Sequence, residues 1–168
     1  MERVRALCLQ APDVNRVYLT TRILFARFPT GQLAWTINPE LQVSGGFPDL
    51  LVIRNNLNPT PIQRSWTILY EGKRSNGDTY DRILTQLVSY TANLRNGQFV
   101  YLIGARGGTC GFWRYTKGNS QPDQQMSSNG AGNVQFRDLS AVQEYDIVTQ
   151  QGQIADMLQY IINHPPPF

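Results

Sequence analysis

Two carboxylates and a lysine stand at the ends of two apolar runs. Asp49 opens the run Asp49-Leu50-Leu51-Val52-Ile53, and Glu71 closes Trp66-Thr67-Ile68-Leu69-Tyr70-Glu71, with Gly72 and Lys73 directly after it. Continuous apolar runs of this length read as buried strands. The connection over 55–63 carries Pro59 and Pro61 and is short enough for a hairpin. Antiparallel pairing through it would set the start of the first strand beside the end of the second, so that Asp49 and Glu71 meet at one edge of a sheet. The two-residue alternation of a strand puts Glu71 and Lys73 on one face. Carboxylate oxygens suit Mg²⁺ or Mn²⁺, hard cations that keep several waters and take phosphate oxygens. Gly72 would let a backbone carbonyl approach such a metal. Lys73 would then orient an attacking water, help to deprotonate it, or stabilise charge on a scissile phosphate.

Composition removes other chemistries. Histidine occurs once, as His164, beside Pro165-Pro166-Pro167. A Ser/His/Asp triad, a Cys/His pair or a His-ligated metal would rest on that one residue. Cys8 and Cys110 are far apart and make neither a zinc pattern nor a disulfide framework. The chain has 168 residues, 41% hydrophobic and 16% charged, a globular balance and one domain's worth of core. The residues after Met1 lead into no apolar segment of a signal peptide, and no run reaches membrane-spanning length, so an intracellular protein off the membrane is expected. Net charge is +3, and of 15 basic residues only Lys73 and Lys117 are lysines. The excess of arginine is compatible with phosphate contacts.

The elements that must position these residues follow from periodicity. Apolar positions from Val14 to Phe28 predict an amphipathic helix ending before Pro29-Thr30-Gly31. A short strand is expected over 33–37, then the two acid-bearing strands. Ser75-Asn76-Gly77-Asp78 predicts a turn, and Ile83, Leu84, Leu87, Val88 and Leu94 predict a helix over 79–95, stopped by Asn96-Gly97. Strands follow over 99–103 and 109–115, with 104–108 as their turn. The stretch 117–133 is polar and reads as a long loop, and Ile154, Leu158, Ile161 and Ile162 mark a closing helix. The Pro-rich tail 164–168 reads as a linker, as in a piece of a longer multidomain chain. The fold class expected is α/β or α+β, one domain over 1–168, with a central mixed sheet flanked by helices on both faces.

Pro48-Asp49 and Glu71-Gly72-Lys73, each on an apolar strand and joined through a hairpin-length connection, resemble the PD-(D/E)XK nuclease superfamily. The order of elements over roughly 13–116 is similar too. The resemblance implies a restriction-endonuclease-like fold, divalent metal on Asp49 and Glu71, and Lys73 as the catalytic lysine. Many members carry an earlier acid, and among Glu2, Asp13 and Glu40 the choice here is Glu40, ahead of the Gly45-Gly46 turn. None of the three falls well inside the first helix, where the family often places it. The family's Gln and aromatic residue on the second helix correspond to Gln86 and Tyr90. Arg74 and Arg82 complete the candidate nucleic-acid contacts with Gln86.

The function expected is metal-dependent hydrolysis of nucleic-acid phosphodiesters, DNA before RNA, with Mg²⁺ or Mn²⁺ as cofactor. The alternative is a nuclease-like fold without activity, serving as a nucleic-acid- or protein-binding module. A partner-targeting effector domain and a homodimer are both compatible with the sequence. Gly104–Gly108 as a phosphate cradle lacks the following helix of a P-loop. Trp113 and Tyr115 are candidates for base stacking, against an ordinary packing role.

Overall fold

The computed structural model of the protein describes residues 27–28, 34–58, 60–139 and 142–168, and the expected first helix lies outside them except for its last two residues. Among the described residues eight strands make one sheet: β1 (Trp35–Pro39), β2 (Leu50–Asn56), β3 (Gln63–Lys73), β4 (Phe99–Arg106), β5 (Thr109–Thr116), β6 (Gln124–Ser128), β7 (Val134–Arg137) and β8 (Tyr145–Asp146). The order is β1-β2-β3-β4-β5-β6-β7, with β8 pairing on β5. Among these described strands only β3 and β4 run parallel; every other pair is antiparallel. A parallel pair needs a crossover, and helix α1 (Tyr80–Ser89) with the 3₁₀ turn Tyr90–Asn93 supplies it. The result is a mixed α+β fold.

The apolar runs of β2 to β4 are continuous because both faces of the sheet are buried. Leu50, Val52, Ile68, Tyr70, Tyr101 and Ile103 belong to one core cluster, and Leu51, Ile53, Leu69, Val100 and Leu102 to the other. Adjacent residues on one strand thus fall on opposite sides, as the pleat requires. Tyr80, Ile83, Leu84 and Leu87 of α1 join the second cluster. Each large side chain removed from water there contributes about 1.5–3 kcal/mol. Opposed Gly104 and Gly111 leave a slot in this face, and Trp113 fills it with 0% exposure. Tyr115 is 3% exposed, so neither aromatic is free to stack a base, and packing is the correct reading of both.

Helix α2 (Gln151–Asn163) joins the first cluster but lies against β6, β7 and β8. The expected helical cover of both faces is seen in part, and all but the last two residues of the expected first helix lie outside the described ones. Among the described residues, α1 covers one face, while α2 reaches only the far end of the other. Over β2 to β4 that other face carries 164–168. The Tyr101 hydroxyl donates to the His164 carbonyl at 2.8 Å, Ser65 Oγ to Pro167 O at 2.8 Å, and Arg54 Nη2 to Pro166 O at 2.8 Å. The Arg54 guanidinium stands 4.0 Å from the centre of the Phe168 ring. The tail read as a linker is thus a docked strap, because proline carbonyls remain acceptors even where proline offers no N–H.

The stretch 117–133 also departs from expectation, since β6 lies inside it. Gln125 is buried, and its side-chain amide donates to Gln143 O at 2.7 Å while its oxygen accepts from Gln143 N at 2.8 Å. A side chain here makes the pair of bonds that a neighbouring strand would make. The segment 104–108 is the expected turn, with Gly107-Gly108 as the two residues between β4 and β5. No helix among the described residues is long and apolar enough to cross a membrane.

Candidate active site

The β2–β3 ladder starts at Leu50 opposite Tyr70, which leaves Asp49 one step further along, beside Glu71 and Gly72. The Gly72 N–H donates to Asp49 Oδ2 at 2.7 Å. In an extended strand the N–H and C=O of one residue face the same neighbour, so the Gly72 carbonyl faces the Asp49 edge as well. Glu71 is only 2% exposed. Lys73 Nζ donates to its Oε1 at 2.5 Å, and the Tyr90 hydroxyl donates to its Oε2 at 3.3 Å. Behind Tyr90, the Gln86 amide donates to the tyrosine oxygen at 2.5 Å. The convergence expected from the hairpin is present, and Glu71 and Lys73 share one side of β3.

Glu40 directly follows β1, with φ of 47°, and its N–H donates to the Asp49 carbonyl at 3.2 Å. Its side chain is exposed, and its charge is felt at Asp49. The loop between them is seated on α1. A Cβ on Gly45 would lie 2.2 Å from the Ser89 carbonyl oxygen, and one on Gly46 would lie 3.0 Å from the Tyr90 ring. Only a residue without a side chain permits that approach. The same contact brings Tyr90 up to Glu71 and fixes the arm that ends in Asp49.

Burial pushes the Asp49 carboxyl above the ordinary carboxylate range, with Glu40 adding to the rise, against the Gly72 N–H and the Lys73 charge. Burial likewise raises Glu71, helped by Asp49, against the Lys73 bond. For Lys73 burial works against the ammonium, but the bond to Glu71 and the charges of Glu71, Asp49 and Asp78 outweigh it and hold the pKa above the ordinary value. Lys73 is therefore a charged donor. Tyr90 is pushed up to about 12 by burial and by Glu71, so it too is held as a donor.

Asp49 and Glu71 are both raised, chiefly by burial and further by neighbouring negative charge, with Lys73 as the cation that faces them. Among the described residues no group of three or more His, Cys, Asp or Glu is arranged to hold a metal. The donor set is Asp49, Glu71 and the Gly72 carbonyl, with Glu40 beside it. Mg²⁺ usually takes one or two carboxylates and completes its shell with water and substrate phosphate, and the residues present fit that pattern.

The remaining candidates are distributed around this point. Arg74 directly follows Lys73 and is exposed in the turn closed by Gly77 N–H to Arg74 O at 2.9 Å. Arg82 is exposed on the first turn of α1, 3.5 Å from Asp78. Gln86 turns its amide nitrogen inward to Tyr90, so it stands behind Glu71. Arg106, which the sequence suggested only as part of a cradle, pairs with Lys73 in the parallel β3–β4 register. Its Nε is buried and has no hydrogen-bond partner among the described residues. The parallel pairing that puts it there leaves no local signal. Compared with known proteins, the chain matches no family model, no curated protein and no solved structure.

Proposed function

We propose that this protein is a divalent-metal-dependent nuclease of the PD-(D/E)XK kind. The observation that carries the reading is the meeting of Asp49, Glu71 and Lys73 at one sheet edge, with Gly72 N–H on Asp49 Oδ2 and Lys73 Nζ on Glu71 Oε1. The run β1-β2-β3-α1-β4, with β3 parallel to β4, supports a restriction-endonuclease-like fold. Asp49, Glu71 and the Gly72 carbonyl would hold Mg²⁺ or Mn²⁺, with Glu40 on the outer side. When bound, the metal supplies Lewis acidity toward water and the scissile phosphate.

The chain's own residues do the rest. Tyr90, backed by Gln86, orients Glu71. Lys73 donates a charged hydrogen bond toward the phosphate or the attacking water, in a site shielded enough for that charge to count. Arg106 and Arg74 hold the flanking phosphates, and Arg82 extends the cationic track along α1. DNA and RNA share this phosphate chemistry.

The test is Mn²⁺- or Mg²⁺-dependent cleavage of single- and double-stranded DNA and RNA by the wild type and by Asp49→Ala. Cleavage by the wild type and none by the variant is expected. Metal binding without cleavage on any substrate would move the reading to a binding module.

A further inference from the structure

We propose that Phe47 is a stacking platform for an unpaired nucleobase next to the scissile phosphate, so that the site acts on single strands or frayed ends and not on intact duplex. The inference rests on the nuclease reading above and adds the substrate class.

Phe47 is 57% exposed, the most exposed large hydrophobic side chain among the described residues. Its loop is not a slack one. Val43 and Gly46 exchange backbone hydrogen bonds of 2.8 and 3.0 Å, Val43 is 6% exposed, and Pro48 is buried. Gly45 and Gly46 lie flush on Ser89 and Tyr90. The backbone on both sides of Phe47 is therefore held, and the ring is presented to water by a fixed arm. It precedes Asp49 by two residues, about 7 Å of extended chain.

The chemistry of the ring selects its occupant. Phenylalanine has no donor or acceptor with which to read base edges in a groove. What it offers is a face, and in a duplex the base faces are already covered by their neighbours. An unpaired base exposes its face and stacks on an aromatic ring whatever its identity. The surroundings speak against a protein partner. Glu40, Gln42 and Ser44 are exposed on the same arm, and Leu41 is the one other exposed large apolar side chain there, at 40%. A protein interface needs a wider apolar patch than this. A lone ring two residues ahead of Asp49 on a held arm suits one base beside one phosphate.

The experiment compares Phe47→Ala, Phe47→Leu and Phe47→Trp with the wild type, by fluorescence anisotropy on a labelled single-stranded oligonucleotide and on its blunt duplex across a salt series. Metal-dependent cleavage of both is measured in parallel. Phe47→Ala and Phe47→Leu should weaken single-strand affinity by about 5- to 150-fold, the worth of one base–aromatic stack. Duplex affinity should change by less than about twofold, and Phe47→Trp should keep the wild-type value. The salt slope should stay the same in all four proteins, because no phosphate contact is lost. The thermal midpoint should not move for so exposed a side chain.

Full affinity in Phe47→Leu would overturn stacking in favour of a generic apolar contact. Equal losses on single strand and duplex would overturn the selectivity. A wild type that cleaves while Phe47→Ala binds and cleaves normally would remove this proposal alone. A wild type that neither binds nor cleaves nucleic acid would remove the nuclease reading along with it.

Discussion

Lys73 is one of two lysines in a chain that otherwise uses arginine, and it sits between two acids at 2.5 Å from one of them. A compact ammonium and a planar guanidinium are not equivalent in so narrow a place. Lys73→Arg should keep the fold and metal binding yet lower cleavage by about 100-fold or more, the usual worth of one positioned charged donor. Initial rates with saturating Mn²⁺ measure it, and equal rates would return Lys73 to the role of a surface partner of Glu71. Asp49 and Glu71 carry a second expectation. An acid whose folded pKa lies above its unfolded value keeps its proton longer in the folded state. Its contribution is fully present below the unfolded pKa and is lost as pH rises through the folded pKa. Asp49→Asn keeps an oxygen for the Gly72 N–H and cannot ionise. Its thermal midpoint should exceed the wild type's at pH 7 and match it near pH 3. Added Mn²⁺ should raise the wild-type midpoint at pH 7 and leave the variant unmoved, so a midpoint in Asp49→Asn below the wild type at pH 7 would contradict the burial account. On the proposed reading, the site gives up stability for the cation that it would bind.

The β1–β2 arm is held by contact of backbone on backbone, and that can be tested apart from the chemistry. Gly45→Ala would drive a Cβ to 2.2 Å from the Ser89 carbonyl oxygen, an atom with no freedom to turn away. The arm must lift, at a cost of about 1–3 kcal/mol for overpacking. Lower stability together with weaker metal binding is expected, with Ser44→Ala as the exposed control in calorimetry. The convergence of Asp49 and Glu71 was legible in the sequence because a hairpin of two apolar strands leaves one way to bring their ends together. The seat of Gly45 on α1 was not legible, because Ser-Gly-Gly reads as a turn whether or not it touches anything. Arg106 was hidden for another reason. Its neighbour Lys73 is reached through a parallel pairing across a whole helix, which no local pattern encodes. Strand β6 was missed because Gln125 and Ser127 are buried polar residues, and the bonds that make the burial of Gln125 tolerable come from Gln143, far along the chain. A strand of that composition lacks the apolar alternation by which strands are recognised.

At the scale of the whole molecule the site and the strap occupy opposite ends of β3. Ser65 holds the strap and Glu71 belongs to the proposed site, about 20 Å apart along the strand. Arg54→Ala combined with Ser65→Ala should therefore lower stability by about 1–3 kcal/mol through lost and orphaned hydrogen bonds. Cleavage per folded molecule should stay unchanged. Urea unfolding and rates at low temperature separate the two, and a matching fall in rate would mean that the strap acts on the site. The strap also carries a consequence for the order of events during synthesis. Arg54 meets Pro166 across 112 residues and Ser65 meets Pro167 across 102, whereas Asp49 meets Gly72 across 23. Closing the longer loops costs little more in equilibrium terms, since each doubling adds only about 0.6 kcal/mol. In time the difference is large, because a ribosome must deliver the whole stretch from Arg54 to Pro167 before those bonds can form. A nascent chain thus passes through an interval in which Asp49 can already meet Gly72 while the first residues of β3 are without the strap.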